Sequence, residues 1–537
     1  NKSAVLYHNY CYFAMHNYHI IEAQTNQHKG GFHMKNRKRF LSLALMSAVL
    51  STSVLTGFAS DGDSGEIPTL TWYLPGNPTN MTSDGYNAVM EEVNKYLEEK
   101  IGCHLDVKLF AFSEYAQKCS TVISAGEPYD LMFTCDWLNN FATNAGSNAY
   151  LPLNDLLEEN APDAMADIPE YMWKATTING NIYAMPALQT YAKNDGIFLR
   201  ADIAEELGIE GSSYENGVNT YTLDDLDNIY SQIVEKHPGI IPADGTDIFW
   251  THVDETYGFN FLGGFEVPGV VRFSDESKVI DQFQSDEFMD YCKRMYEWQQ
   301  KGYVQPDWAS YVTMTDQHTI DRKSPDHVTY QAGFTAPNVA SMAVSDCGWE
   351  ETPVPIITSN KYAVTSGVTQ SLTAVGVNSR YPEKAVQLYN LAYSDPWFVN
   401  TLLYGLEGVN YNKVSDTEIE IIRDSNYAAP LASFTIANQF ITWVEAGAYP
   451  ADVWEQTKAF CEDATPSELF GFIFDSSNVK SEVANCSAIY EEYKYPLLCG
   501  AVDPETVIPD MLNRLEQAGS AKIIEEMQRQ VDAFLGK

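Results

Sequence analysis

Tyr86, Val89, Met90, Val93 and Leu97 recur at i, i+3, i+4, i+7 and i+11, the spacing of one helix face. Ser83 suits the cap of this helix and Gly102 its end. Upstream, "TLTWYL" (69–74) is rich in β-formers. Downstream, "HLDVKLF" alternates Leu105, Val107 and Leu109 with Asp106 and Lys108, the period of a strand. A second helix over 113–124 leads to "DLMFT" (130–134), an apolar run suited to a strand buried on both faces. The order is βαβαβ, which predicts an α/β lobe with a parallel sheet.

The pattern recurs further on. "NGNIYAMP" (179–186) and "GIFLRADIAEELGI" (196–209) predict strands flanking a crossover, with a helix after Arg200. "TPVPII" and "SLTAVGV" read as strands, and "SRYPEKAVQLYNLAYSD" as a helix with Pro382 in its first turn. The chain closes on an amphipathic helix with Ile523, Ile524, Met527, Val531 and Phe534 on one face. No repeat of fixed period interrupts this α/β pattern.

From Met34, Lys35, Arg37, Lys38 and Arg39 precede an apolar run that is short for a spanning helix, the layout of a signal peptide. Residues 34–60 are predicted to be that signal, and 1–33, which begin with Asn1 and lack periodicity, an upstream segment outside the folded unit. The signal ends "LTGFAS". Phe58 stands where a lipoprotein signal needs Cys, so lipidation is not available there, while Gly57 and Ala59 offer a small-x-small cleavage pattern. Export is therefore expected, with membrane association only through the signal or an anchor.

Charge sharpens the exclusions. The net charge is −40, and past residue 58 the chain holds 27 basic against 72 acidic residues. Such a surface repels nucleic-acid phosphates, so no nucleic-acid partner is expected. The nine cysteines form no CxxC and have no nearby histidine at ligand spacing; no metal site, no cofactor and no disulfide pairing are expected. GxGxxG, Walker A, GxSxG and HExxH are all absent, which leaves no nucleotide site and no catalytic residue to name. Acid pairs such as Asp224 with Asp225 and Glu91 with Glu92 read as solvated helix faces.

In open α/β sheets, ligands collect at the carboxyl ends of strands. There the sequence sets aromatics beside amides and acids: Trp72 near Asn77; Trp137 with Asp136; Tyr191 with Lys193 and Asp195; and Asn438, Gln439 and Trp443 in "IANQFITW". A pyranose has an apolar C–H face for an aromatic ring and a rim of hydroxyls for amide and carboxylate partners, so a sugar suits such loops. Core packing is the competing role for each aromatic.

Together, "AGEPYDLMFTCDW" (125–137), "YLPLNDLLEENAPD" (150–163), "NGNIYAMP" with "GIFLRADIAEELGI", and "AVGVNSRYPEKAVQLYNLAYSDPWFVNTLLYGLEGVNY" (374–411) resemble the family 1 extracellular solute-binding proteins of ABC importers. Residues 469–537 resemble the C-terminal region of unknown function on the LipO-like lipoprotein branch of that family. The resemblance implies a two-lobed α/β periplasmic-binding-protein-like fold with a hinge, closing on a ligand between lobes. It places the first lobe at 65–190 plus 370–432 and the second at 191–369 plus 433–537, with crossings near Ala187–Asp195, Ser371–Val377 and Ser433–Asn438. It assigns ligand contacts to Trp72, Asn77, Asp136 and Trp137 in the first lobe. Tyr191, Asp195, Phe334, Asn338, Asn438, Gln439 and Trp443 answer from the second, with Glu407 either a ligand acid or a structural one.

The implied function is capture of a carbohydrate, an oligosaccharide, by a monomer that delivers it to an ABC permease at the cell surface, or in a periplasm if the cell has two membranes. A peptide or other solute, or a secreted carbohydrate-active enzyme, are the competing readings.

Overall fold

The structure is a computed structural model that describes residues 67–537 apart from 219, 244–252, 307–319 and 332–333. The signal at 34–60, Phe58 and the segment 1–33 lie outside the described residues.

β1 (Thr69–Gly76), α1 (Ser83–Ile101), β2 (His104–Ala111), α2 (Phe112–Ala125) and β3 (Leu131–Thr134) follow in the βαβαβ order that the hydrophobic pattern predicts. The cap of α1 falls one residue before the expected Ser83. Thr82 has extended backbone, and its side chain accepts from the Gly85 amide at 3.1 Å. Gly102 ends the helix at φ 64°, a left-handed turn open to glycine because it has no Cβ to clash. Val89, Met90, Val93 and Leu97 form the buried face.

Later in the chain come β4 (Met185–Pro186), β5 (Gly196–Leu199), β6 (Thr329–Tyr330), β7 (Val354–Ile357) and β8 (Leu372–Val375). The first sheet runs β2-β1-β3-β8-β4. β1 pairs in parallel with β2 from Thr69↔His104 to Gly76↔Ala111 and with β3 at Trp72↔Leu131, while β8 runs antiparallel to β3.

Two large hydrophobic cores divide most of the molecule, and β5 lies on the boundary between them. Successive side chains of a strand point to opposite faces: Phe198 joins the first core, whereas Ile197 and Leu199 join the second. The unbroken apolar run "GIFL" follows from this, because both faces of β5 are covered. α3 (Pro337–Cys347) and part of α4 (Val453–Glu462) pack into the first core through Val339, Ala343 and Phe460.

The C-terminal helices α5 (Lys480–Leu498), α6 (Pro504–Ala518) and α7 (Ser520–Phe534) belong to the second core. Gln528 of α7 accepts from the Val279 amide at 2.8 Å and donates to the Ser277 carbonyl at 2.9 Å, which fixes the helix to the strand Asp275–Asp281. Ile523, Met527 and Val531 are buried as the spacing predicts. Phe534, in the last turn, remains 44 % exposed.

Glu526 ties α7 to the turn before α5, accepting from Arg529, Gln530 and Asn478. These donors, Arg529 foremost, favour the carboxylate and pull its pKa from 4.5 to about 2. A depressed folded-state pKa gives stability that is present above the unfolded value and lost as pH falls through the folded one. The stability difference between wild type and Glu526→Gln is therefore expected to shrink between pH ~4.5 and ~2. Thermal unfolding across that range checks this; a difference that stays constant would show that the contacts do not act through charge.

All eight described cysteines are buried free thiols. Burial raises Cys103 to about 11 and Cys119 to about 12, so both are protonated and act as small apolar side chains.

Candidate ligand-binding cleft

The site is built around three chain segments lying side by side at the junction of the cores. The Ala187 amide donates to the Ser371 carbonyl at 3.0 Å and the Leu188 amide to Ala437 at 2.7 Å, while the Gln439 amide returns to Leu188 at 2.9 Å. Side chains reinforce the junction: Gln370 Nε2 donates to the Thr190 carbonyl at 2.7 Å, and Ser371 Oγ to Phe434 at 2.6 Å. These are short ladders, each a few bonds long.

At the carboxyl end of β3 the chain closes a tight loop, with the Cys135 amide on the Asn139 carbonyl at 3.1 Å and the Phe141 amide on Cys135 at 2.8 Å. The loop leaves Asp136 exposed and Trp137 half-buried. Asp136 accepts from Thr369 Oγ1 at 2.8 Å, and its amide donates to the Thr369 carbonyl at 3.0 Å. Surrounding protein raises the Asp136 carboxyl above the usual range, with the Lys193 ammonium offsetting part of that rise. Trp137 is held by Nε1 donating to the Gln370 carbonyl at 2.8 Å and stacks on Phe112 at 6.2 Å.

Across the first crossing, Asn194 accepts from the Thr335 amide at 2.9 Å, and Asn338 accepts from Thr190 Oγ1 at 3.3 Å. These bonds bring residues 334–338, with half-buried Phe334, to the same junction. Tyr191 is buried edge-to-face on Tyr171 at 6.3 Å, and burial raises its hydroxyl pKa. Asp195 is fully buried. The structure thus gathers Asp136, Trp137, Tyr191, Asp195, Phe334 and Asn338 near the junction of the two cores.

The remaining expected contacts sit elsewhere or are already engaged. Trp72 is 0 % exposed within the first core; on β1, flanked by strands on both sides, it has no ring face to offer a ligand. Asn438 caps the turn Gln439–Ile441 through the Phe440 amide at 3.0 Å and donates to the Tyr393 carbonyl at 3.1 Å. Gln439 donates to Ser433 Oγ at 2.9 Å. Both amides hold their own segment in place. Trp443 packs with Tyr404 and Tyr411 on a satellite cluster, and Glu407 is exposed beside it, tied to Tyr411 through its backbone alone. Asn77 caps its own turn through Thr79 at 3.2 Å, which leaves its buried Nδ2 without a partner.

Thr369 and Gln370, which orient Asp136 and Trp137, escape sequence reasoning because nothing local marks a Thr-Gln pair. Asp254 and Glu255, which meet Asp195 in space, look like another pair in an acid-rich chain. The pairs read as solvated do behave so: Glu91 and Glu92 both pair with exposed Lys95, while Asp225 boxes the cap of the helix Leu223–Lys236.

Comparison with known proteins identifies the family. The family model for bacterial extracellular solute-binding protein matches residues 81–397, and a domain of unknown function, DUF3502, matches 468–536. A carbohydrate ABC transporter substrate-binding protein from Streptococcus pneumoniae serotype 4 (strain ATCC BAA-334 / TIGR4) is 26 % identical, with 94 % of this chain and 99 % of that protein aligned. Among solved structures, the N-glycan transport solute binding protein NgtS from Streptococcus pneumoniae superposes with a TM-score of 0.73 at 24 % identity, over 88 % of this chain and 99 % of that one. NgtS in complex with Man5GlcNAc gives 0.64 at 23 % identity, over 87 % and 99 %. An extracellular solute-binding protein from Bifidobacterium longum subsp. infantis gives 0.59 at 15 %, over 88 % and 99 %. These structures share the fold, and the family match spans more than half of the sequence: the chain belongs to the bacterial extracellular solute-binding protein family.

Proposed function

We propose that this protein captures an oligosaccharide between its two lobes and delivers it, as a monomer, to the permease of an ABC importer. The observation that carries this is the pairing of a half-buried indole, Trp137, with a solvent-open carboxylate, Asp136, on a loop anchored at the lobe crossings. A ring for a sugar's C–H face and an acceptor for its hydroxyls then stand side by side. The description of the Streptococcus pneumoniae relative as a carbohydrate transporter component, and the glycan complexes of NgtS, support the same class of ligand.

In this reading the lobes are 65–190 plus 370–432 and 191–369 plus 433–537, and the crossings form the hinge. Short ladders suit a hinge, since few bonds must rearrange when backbone dihedrals change. Closure brings the second lobe toward Asp136 and Trp137, and the loaded, closed form is the one presented to the permease. The protein acts by binding and has no turnover of its own. Export proceeds through the signal at 34–60, and attachment, where present, does not use a lipidated residue 58.

Calorimetric titration with mannose- and N-acetylglucosamine-containing oligosaccharides tests the proposal. Trp137→Ala is expected to weaken binding by about 1 kcal/mol or more, roughly fivefold, with the melting temperature of the free protein little changed. Unchanged affinity would remove Trp137 from the site. Cleavage products after incubation with the same glycans would overturn the transport reading.

A further inference from the structure

We infer that Asp195, Asp254 and Glu255 form a binding site for one hard divalent cation of the calcium type. Their carboxylate oxygens lie within 4.8 Å of one another, so one ion at calcium–oxygen distances of about 2.3–2.6 Å can touch all three. The residues are 0, 8 and 6 % exposed. An acid cluster alone is common in so acidic a chain; the atom that sets this one apart is Asp195 Oδ1, which is buried and has no hydrogen-bond partner.

The other Asp195 oxygen accepts from the Thr256 amide. The backbone is fixed on every side: the Asp195 amide donates to Ser359 Oγ at 2.8 Å, and its carbonyl accepts from the Thr358 amide at 2.9 Å. The Asp254 carbonyl accepts from the Phe259 amide at 2.7 Å, and the Glu255 carbonyl from Gly258 at 3.1 Å. The three acids are therefore held together by their loops, despite mutual repulsion, and do not meet by side-chain preference.

Buried carboxylates are costly unless a cation or donors compensate them. Among the described residues, the ammonium that acts on this cluster is that of Lys193, felt at Asp254, and it is shared with Asp136. One monovalent charge cannot balance these acids. The hydroxyls of Thr256 and Thr358, 2.8 Å apart, are neutral oxygens at the edge of the cluster. With no nitrogen or sulfur donor among the three, the set selects calcium or magnesium over zinc or copper. The ligands come from two distant segments and not from a single loop with the alternating spacing of an EF-hand. Because Asp195 closes the first crossing and Asp254 and Glu255 sit on a loop of the second core, the ion pins that loop to the crossing strand.

The test needs no sugar, so its failure is separate from failure of the carbohydrate reading. The full chain is stripped with EDTA, then titrated with calcium chloride by calorimetry and by thermal shift. The expected result is one-to-one binding with a raised melting temperature; extracellular calcium modules bind at about 10⁻⁴–10⁻³ M, so the titration runs to tenfold above that range. Asp254→Asn is expected to weaken binding at least about tenfold. Glu255→Gln is the second variant in case the first misfolds, with circular dichroism reporting the fold of each. Absence of both heat and thermal shift in the wild type overturns the site, as does binding unchanged in both folded variants. A melting temperature raised by Asp254→Asn itself, without calcium dependence in the wild type, would show instead that the acids share protons, and would also overturn it.

Discussion

Trp72→Ala is expected to destabilise the protein by about 3–5 kcal/mol, the range for truncating a buried aromatic. Trp72 lies in the middle of β1, in register with Val107 on one neighbour and Leu131 on the other, and is wholly buried. Truncation removes its transfer free energy and leaves a cavity that strands on both sides hold open. Its Nε1 has no hydrogen-bond partner, so Trp72→Phe, which discards that orphan donor and keeps most of the ring, should lose clearly less. Denaturant unfolding of the two variants measures this. A Trp72→Ala protein as stable as wild type but impaired in sugar binding would return the residue to the ligand site.

Gly367→Ala is the second substitution with a large expected effect. The glycine lies in the short helix Thr365–Thr369, just before the Thr369 and Gln370 that orient the Asp136–Trp137 loop. A Cβ there would stand 2.0 Å from the Tyr191 carbonyl oxygen, so backbone on one side has to move. Overpacking of this kind typically costs about 1–3 kcal/mol. Here the displaced atoms adjoin Thr190, whose carbonyl holds Gln370 beside Trp137, so oligosaccharide affinity is expected to fall along with stability. Paired thermal-shift and calorimetric measurements check both, and a variant that keeps wild-type stability and affinity would mean that the crossing tolerates the shift.

Local pattern determined much of this molecule. The apolar spacing of Val89, Met90, Val93 and Leu97 and the alternation along 104–110 place α1 and β2, because a helix or strand with one apolar face can bury it in one way only. The run "GIFL" announced a strand covered on both faces, and β5 divides its side chains between two cores. Motifs carried the family as well. The loop after β3 is a binding candidate on the same local grounds, since in open α/β sheets ligands collect at the carboxyl ends of strands.

Tertiary structure decided which candidates have a surface to offer. Trp72 and Trp137 are both tryptophans at a strand or its end, and only the packing of the first core made the first wholly buried and left the second half-exposed. Asn438 and Gln439 have the right chemistry for a sugar, but their amides are engaged by Tyr393, Phe440 and Ser433, partners that appear only once the crossings pack. The meeting of Asp195 with Asp254 and Glu255 has no trace in the sequence. Hydrophobic periodicity is a local property and survives in the one-dimensional record, whereas the environment of a polar group depends on what distant segments the fold brings against it.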